Sequence, residues 1–244
     1  MRVPRAHIEA DLAVGSRVTL PDTTAHHFLR VLRLPDGAAV RLFNGDAGDW
    51  HGRLIVEGKQ RASAEIDYFE ESATESPLEL TLVQGISRGQ RMDYTLEKSV
   101  ELGVDHVIPV IMERTQAAPA GERITKKARH WQGVIAAAAA QSGRTRLTTL
   151  AAQCGFREWL SQTDTTARPH VLLDPTGNRA PGEIAATTGL TLIAGPEGGF
   201  SPAERDAAYT AGCEGIRLGP RTLRTETAAV AALALLQGLY GDLG

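Results

Sequence analysis

The chain has 244 residues, of which 42% are hydrophobic and 23% are charged, a mixture typical of a globular protein with one or two domains. Its net charge of −3 excludes a uniformly basic nucleic-acid binder, but residues 84–150 alone carry a net charge of +4. No apolar run approaches the roughly 20 residues that cross a bilayer, and the first residues lack the apolar core of a signal peptide. Two distant cysteines fit a reducing compartment. We therefore expect a cytoplasmic protein without a membrane partner and with one locally basic face.

The beginning of the chain predicts short strands. Residues 39–43 and 50–56 flank a turn rich in glycine and asparagine, and residues 62–69 predict a third strand. Short strands separated by such turns are typical of small all-β domains. The sequence therefore predicts a small β-barrel domain over residues 1–72.

Residues 26–34, HHFLRVLRL, predict one short helix within this domain. Arg30 and Arg33 are three positions apart and would share a helical face from which they can reach RNA phosphates. A solvated helix face is the alternative interpretation of the same pair. The polar segment 70–77, EESATESP, then predicts a linker to a second domain over residues 73–244.

Strands and helices alternate in the second half of the chain. Predicted strands cover residues 80–84, 106–111, 171–173, 190–194 and 216–218. Helices are predicted over residues 93–102 and 126–142. A third predicted helix begins at the capping box of Ser201 and Glu204, and a last one begins at Thr225 or Glu226. Apolar strands that alternate with helices imply an α/β fold with a parallel sheet.

Three glycine-containing loops follow predicted strands, at residues 174–177, 195–200 and 219–224. In open α/β sheets ligands bind beyond the carboxyl ends of the strands, and glycine lets a ligand approach the backbone closely. A tight turn is the simpler interpretation of any one loop. The sequence has no phosphate-binding P-loop, no GxGxxG, no HExxH and no GxSxG motif, and its seven histidines form no ligand pattern. We therefore expect no metal.

The function is indicated by a resemblance. Residues 193–199, IAGPEGG, and 218–228, LGPRTLRTETA, resemble the paired signature of the bacterial 16S rRNA (uracil-N3) methyltransferase family, of the SPOUT superfamily. Further similar blocks extend over the whole chain, at residues 27–33, 42–45, 98–104 and 141–144. The resemblance implies a PUA-like barrel followed by a SPOUT domain with a deep trefoil knot, which general folding rules would not predict. One departure is Ala140, where the family usually has glutamate.

The resemblance also implies that S-adenosyl-L-methionine lies bent between the three loops and is contacted largely by backbone. The candidate cofactor-binding residues are Leu173, Ile193, Gly195, Pro196, Glu197, Gly198, Leu218, Gly219 and Leu223. Arg224 and Glu226 are the candidate catalytic residues, and an Arg224–Glu226 pair at the helix start is the alternative interpretation. Candidate RNA contacts are Arg30, Arg33, Arg114 and Arg144.

We thus expect an enzyme that methylates N3 of a uridine in 16S rRNA, within the assembling 30S subunit. Two alternatives remain open, namely a methyltransferase for another RNA base or a ribose, and a non-catalytic RNA-binding factor for ribosome assembly. The segment Thr227 to Tyr240 is apolar nearly all round, so it must be buried on several sides. Together with the resemblance, this pattern predicts a homodimer.

Overall fold

The computed structural model describes residues 3–116, 118–185 and 188–244. The chain forms two compact units. Unit 1 comprises residues 1–75 together with Ala139–Leu147, and unit 2 comprises Ser76–Ala138 together with Thr148–Gly244. Unit 1 therefore includes a segment from the middle of the sequence. The two domains predicted from the sequence, with a single boundary after residue 72, do not include such a segment in the first domain.

A five-stranded sheet with the strand order β1-β3-β4-β5-β2 forms unit 1. Its strands are β1 (Arg5–His7), β2 (Arg17–Thr19), β3 (Ala39–Phe43), β4 (Gly48–Val56) and β5 (Ala62–Glu71). Strands β3, β4 and β5 are antiparallel neighbours and coincide with the three predicted strands. Strands β1 and β2 were not predicted, because three residues are too few for an alternating pattern to be recognised.

The helix predicted over residues 26–34 begins and ends earlier than expected, so this prediction was wrong for its last three residues. Helix α1 (Asp22–His26) continues into a π-helical turn (His27–Val31), after which Arg33 adopts a left-handed φ of 53°. Phe28 and Leu34 both pack against the core, and a spacing of six does not place two residues on one side of a regular helix. The chain therefore leaves the helix between them, and Arg30 and Arg33 do not share a helical face.

The polar segment 70–77 is not a free linker. Glu75 accepts hydrogen bonds from Nε and Nη2 of Arg144 at 2.9 and 2.7 Å and from the backbone N–H groups of Thr145 and Arg146. The Thr74 hydroxyl donates to the carbonyl of Gly143. Composition suggested a linker because these residues are polar, but their polar groups bind the segment Ala139–Leu147 within unit 1.

The buried Arg5 also binds this segment. Its guanidinium donates to the carbonyls of Ala139 and Arg144 at 2.9 and 2.7 Å, and it forms an ion pair with Asp49 at 2.7 Å. A buried charge is tolerated when it is paired and fully hydrogen-bonded, which is the case for Arg5. These contacts explain how residues separated by more than 130 positions belong to one unit.

A parallel sheet with the order β12-β10-β11-β6-β7-β8, to which β9 adds beside β7, forms the centre of unit 2. Its strands are β6 (Glu79–Gly85), β7 (His106–Ile111), β8 (Thr149–Leu150), β9 (Cys154–Gly155), β10 (His170–Leu173), β11 (Gly189–Ala194) and β12 (Glu214–Ile216). Its helices are α2 (Gln90–Glu101), α3 (Glu122–Ser142), α4 (Phe156–Gln162), α5 (Pro202–Thr210) and α6 (Thr225–Tyr240). None of the described helices is long and apolar enough to cross a membrane.

The strand order brings the three glycine-containing loops together. Strand β10 lies between β11 and β12, and all three run parallel, so their carboxyl ends meet at one edge of the sheet. The structure also corrects one boundary, because β12 ends at Ile216 and Leu218 lies in the loop that follows. Helix α4, whose Phe156 and Trp159 enter the core, was not predicted.

Candidate active site

A cleft of about 530 Å³ opens in unit 2 at the carboxyl ends of β10, β11 and β12. Three loops form its walls: residues 174–176, residues 195–200, and residues 222–224 with the first turn of α6. This volume lies within the range of small-molecule sites. Among the described residues, no group of histidine, cysteine, aspartate and glutamate side chains is placed to hold a metal ion.

Six of the nine candidate cofactor-binding residues line this cleft: Leu173, Gly195, Pro196, Glu197, Gly198 and Leu223. Ile193 is fully buried in the hydrophobic core instead, because β11 lies inside the sheet and is covered on both sides. Leu218 and Gly219 lie earlier in the third loop and are not among the described residues that line the cleft. We therefore do not retain Ile193 as a cofactor contact.

Close backbone approaches shape the loop of residues 195–200. A Cβ atom on Gly198 would lie 2.7 Å from the Cβ atom of Arg114, and one on Gly195 would lie 3.3 Å from the backbone of Gly199. Arg114 Nη1 donates to the carbonyl of Gly198 at 3.0 Å, and the Thr225 hydroxyl donates to the carbonyl of Gly195. Glycine is needed here because neighbouring protein atoms occupy the space of a side chain. A valine at Gly195 would therefore press on Gly199 and Phe200 of the same loop.

Arg91, which follows β6 on α2, connects two carboxylates of the cleft. Its Nη1 atom donates to Glu197 Oε1 at 3.1 Å, and its Nε atom lies 3.7 Å from Glu226 Oε1. Burial opposes the charged form of Glu197, but hydrogen bonds from the backbone N–H of Arg88 and from Arg91 outweigh it, so the pKa of Glu197 is below its usual value. Arg91 was not singled out from the sequence, although it follows the carboxyl end of a strand, where ligands bind.

Arg224 lies at the N-cap of α6 with its side chain exposed, and it lines the cleft. Within residues 3–116, 118–185 and 188–244, its guanidinium forms no ion pair, and the Glu226 carboxylate contacts Arg91 instead. The alternative interpretation, that Arg224 pairs with Glu226, is therefore wrong. The remaining cleft arginines have partners: Arg114 binds the carbonyl of Gly198, and Arg205 donates to the Thr176 hydroxyl at 2.9 Å.

Asp174 fixes the first loop of the cleft. Its carboxylate accepts hydrogen bonds from the backbone N–H and hydroxyl of Thr176 at 2.8 and 2.7 Å and from the Tyr209 hydroxyl at 2.8 Å. Burial disfavours the charged carboxylate, but these hydrogen bonds and the nearby Arg205 hold its pKa below the usual value. Burial and the same carboxylate raise the pKa of Tyr209 to about 12.

The candidate RNA contacts lie in different surroundings. Arg30 and Arg33 are exposed in unit 1, and Arg114 is exposed at the cleft in unit 2. Arg144 differs, because its side chain is only 5% exposed and is ion-paired with Glu75. A guanidinium that a carboxylate already holds in the protein interior serves the structure of unit 1. We therefore do not retain Arg144 as an RNA contact.

Comparison with known proteins agrees with this architecture. A model of the RNA methyltransferase domain matches residues 74–237, and a model of the RNA methyltransferase PUA domain matches residues 20–67. The chain belongs to this RNA methyltransferase family. The family and the α/β fold class that the sequence predicted are thereby confirmed, including the PUA domain at the start of the chain.

Solved structures and curated relatives of the family are similar over nearly the whole chain. The crystal structure of ribosomal RNA small subunit methyltransferase E from Neisseria gonorrhoeae, bound to S-adenosyl methionine, has a TM-score of 0.92 and 38% identity and covers 100% of both chains. A methyltransferase from Legionella pneumophila in complex with the same cofactor has a TM-score of 0.94 and 32% identity, also over 100% of both chains. Ribosomal RNA small subunit methyltransferase E of Mycobacterium tuberculosis is 31% identical over 88% of this chain and 87% of its own length.

Proposed function

We propose that this protein methylates N3 of one uridine in 16S ribosomal RNA, in the cytoplasm and within the assembling small subunit, with S-adenosyl-L-methionine as the methyl donor. The observation that carries this proposal is the glycine-lined cleft at the ends of β10, β11 and β12, in a chain 38% identical to a small-subunit rRNA methyltransferase that binds this cofactor. The match of residues 20–67 to a model of the RNA methyltransferase PUA domain supports an RNA substrate.

The residues of the cleft fit this cofactor. The loop of residues 195–200 offers backbone groups at close range because Gly195, Gly198 and Gly199 carry no side chains. Glu197 and Glu226 add two carboxylates to the cleft, and Arg91 contacts both of them. Their Oε2 atoms receive no hydrogen bond from the described residues, which leaves their charge incompletely compensated. Buried carboxylate oxygens without a donor suit a ligand that carries hydrogen-bond donors.

The chemistry of N3 explains the role that we assign to Arg224. When bound, S-adenosylmethionine supplies an electrophilic methyl group on a positively charged sulfur. The N3 atom of uracil becomes nucleophilic only as its proton leaves to solvent, and the negative charge then spreads onto O2 and O4. The methyl group passes to N3 as its bond to sulfur breaks, which leaves S-adenosylhomocysteine. Arg224 is the cleft arginine whose guanidinium has no partner in the part of the chain that the structure describes, so it is free to donate to these oxygens. A fixed cation at that place stabilises the transition state more than the bound substrate.

The proposal is tested by incubating the purified protein and S-adenosylmethionine with 30S subunits or 16S rRNA that lack base methylation. We expect one 3-methyluridine per 16S rRNA, located by nuclease digestion and mass spectrometry. A methyl group on a ribose or on another base would contradict the N3 assignment alone. Cofactor binding without any transfer to either substrate would favour a non-catalytic assembly factor.

A further inference from the structure

The first two turns of α3 carry three exposed cations, Arg123, Lys126 and Arg129, which we call the α3 cations. Each is three positions from the next, so the side chains form a continuous row on the helix surface. Lys127 lies beside them with its Nζ atom 5.6 Å from the centre of the Trp131 ring. Among the residues that the structure describes, none of the α3 cations forms an ion pair, whereas the exposed Arg157 and Arg179 pair with Glu113 and Glu214.

The cations of α3 lie near its start, where the helix dipole does not stabilise them. The start of a helix carries a partial positive charge, so acidic residues stabilise the first turn and basic residues stabilise the last turn. Helix α3 has only Glu122 as an acid in its first turn and no basic residue in its last turn. The α3 cations therefore do not serve the stability of their own helix. Residues that break a local stability rule without a structural gain are expected at functional sites.

The chain segment that leads to the α3 cations contributes a residue to the cleft. The connection between β7 and α3 contains Arg114, which lines the cleft and binds the carbonyl of Gly198. Arg88, from the connection between β6 and α2, donates to the Gln116 side chain in the same segment at 3.3 Å. Arg114 and Arg88 thus place two cations at the connection that leads to α3, within unit 2.

We propose that the α3 cations bind the phosphate backbone of the RNA that flanks the methylated nucleotide. This inference rests on the proposed RNA substrate. Successive α3 cations are separated by about 4.5 Å along the helix axis, and their long side chains can reach neighbouring phosphates of one strand. Such contacts position the RNA without reading its sequence. They place the RNA so that one nucleotide enters the cleft.

The test compares two double variants in the full-length protein. Lys126→Ala/Arg129→Ala removes two α3 cations, and Arg157→Ala/Arg179→Ala removes two exposed arginines of unit 2 that are already ion-paired, so both change the net charge equally. Binding of 16S rRNA is measured over a series of salt concentrations. Because each lost phosphate contact reduces the salt slope by about 0.7–0.9, we expect the first variant to bind with a slope shallower by about 1.5 and about thirtyfold more weakly at 0.1 M salt. The control should bind like the unmodified protein.

Two further measurements separate RNA binding from folding and from the cofactor cleft. The affinity for S-adenosylhomocysteine should not change in the Lys126→Ala/Arg129→Ala variant, because neither residue lines the cleft. Its melting temperature should stay nearly the same, because both side chains are exposed on the helix surface. If the double variant does not fold, Arg123→Gln decides the question, with an expected slope shallower by about 0.7.

The outcomes distinguish this inference from the proposed function. An unmodified protein that does not bind 16S rRNA overturns both. An unmodified protein that binds with a steep slope, while the α3 variant has the same slope, overturns the inference about α3 alone. An equal loss in the Arg157→Ala/Arg179→Ala control shows a bulk charge effect and overturns it as well.

Discussion

At the residue scale, the four arginines of the cleft differ in what they already contact. Arg91 is bound to two carboxylates, Arg114 to a backbone carbonyl and Arg205 to a hydroxyl, whereas Arg224 has no partner among the described residues. A cation that is not engaged in the free protein can use its full hydrogen-bonding capacity on a substrate. The division of roles that we propose follows from this difference.

We predict that Arg224→Ala lowers the single-turnover methylation rate by about 10²–10³ while the affinities for cofactor and RNA remain nearly unchanged. The reason is that the charge on the uracil oxygens develops only in the transition state. Single-turnover kinetics at saturating cofactor and RNA, with calorimetry for cofactor binding, measure both quantities. Glu226→Ala serves as a comparison, because Glu226 contacts Arg91 and not Arg224. A variant that loses cofactor affinity but keeps its rate at saturation would show that the assigned role is wrong.

Gly198 and Gly219 provide a second prediction at this scale. A Cβ atom on Gly198 would lie 2.7 Å from Arg114 Cβ, whereas the space around Gly219 is open and only its φ of 80° disfavours a side chain. Gly198→Ala should therefore displace the loop of residues 195–200 and weaken the binding of S-adenosylhomocysteine. Gly219→Ala should instead cost about 1 kcal/mol of stability with little change in binding. Calorimetric titration and urea unfolding of both variants check this contrast, and equal binding losses would contradict it.

At the element scale, the segment Ala139–Leu147 is joined to unit 1 by charged side chains and not by apolar packing alone. Glu75 receives hydrogen bonds from Arg144, Thr145 and Arg146, and Arg5 binds two carbonyls of the segment. Burial disfavours the charged form of Glu75, but the hydrogen bonds from Arg144 and from the backbone prevail, so its pKa is below the usual value of 4.5.

We predict that this carboxylate makes the stability of the protein depend on pH. Because the folded-state pKa of Glu75 is lowered, its contribution is complete above pH 4.5 and is lost as the pH falls through the folded-state pKa. Glu75→Gln should reduce the free energy of unfolding at pH 7 by about 1.5–3 kcal/mol, the value of hydrogen bonds to a charged group. The difference between the two proteins should shrink as the pH falls below 4.5. Urea unfolding at several pH values measures it, and a difference that stays constant would rule out the ionised pair.

At the scale of the whole molecule, α6 is covered on one side only. Ala229, Leu233 and Leu236 are buried, whereas Leu235 and Leu239, four positions apart, are 47% and 50% exposed. Two exposed leucines on one helical face are suited to contact with a second apolar surface.

We predict that the protein is a homodimer in which α6 contributes to the contact. Light scattering at micromolar concentration should give twice the 26.1 kDa of one chain. Leu235→Asp/Leu239→Asp should shift the mass towards that of one chain, because burial of two carboxylates in an apolar contact is costly. Val14→Asp, at a 63% exposed position of unit 1, is the control and should leave the mass unchanged. A single-chain mass for the unmodified protein would contradict the prediction.

The sequence by itself determined the elements whose signals are local. Apolar runs predicted both ends of β7 as observed, and they predicted the ends of the other long strands of unit 2 to within two residues. The capping box of Ser201 and Glu204 predicted the start of α5. The paired signature around residues 193–199 and 218–228 indicated the family, because it is a specific run of residues and needs no coordinates.

Only the tertiary structure decided which of these elements meet. Three features depend on contacts between positions that lie 69 or more residues apart. They are the contacts of Arg91 with Glu197 and Glu226, the burial of Arg144 against Glu75, and the place of residues 139–147 in unit 1. Hydrophobic periodicity and capping report only on neighbours within a few turns of chain, so they carry no information about such pairs. The left-handed Arg33 has the same cause, since the core contacts of Phe28 and Leu34 override the helical preference of the segment.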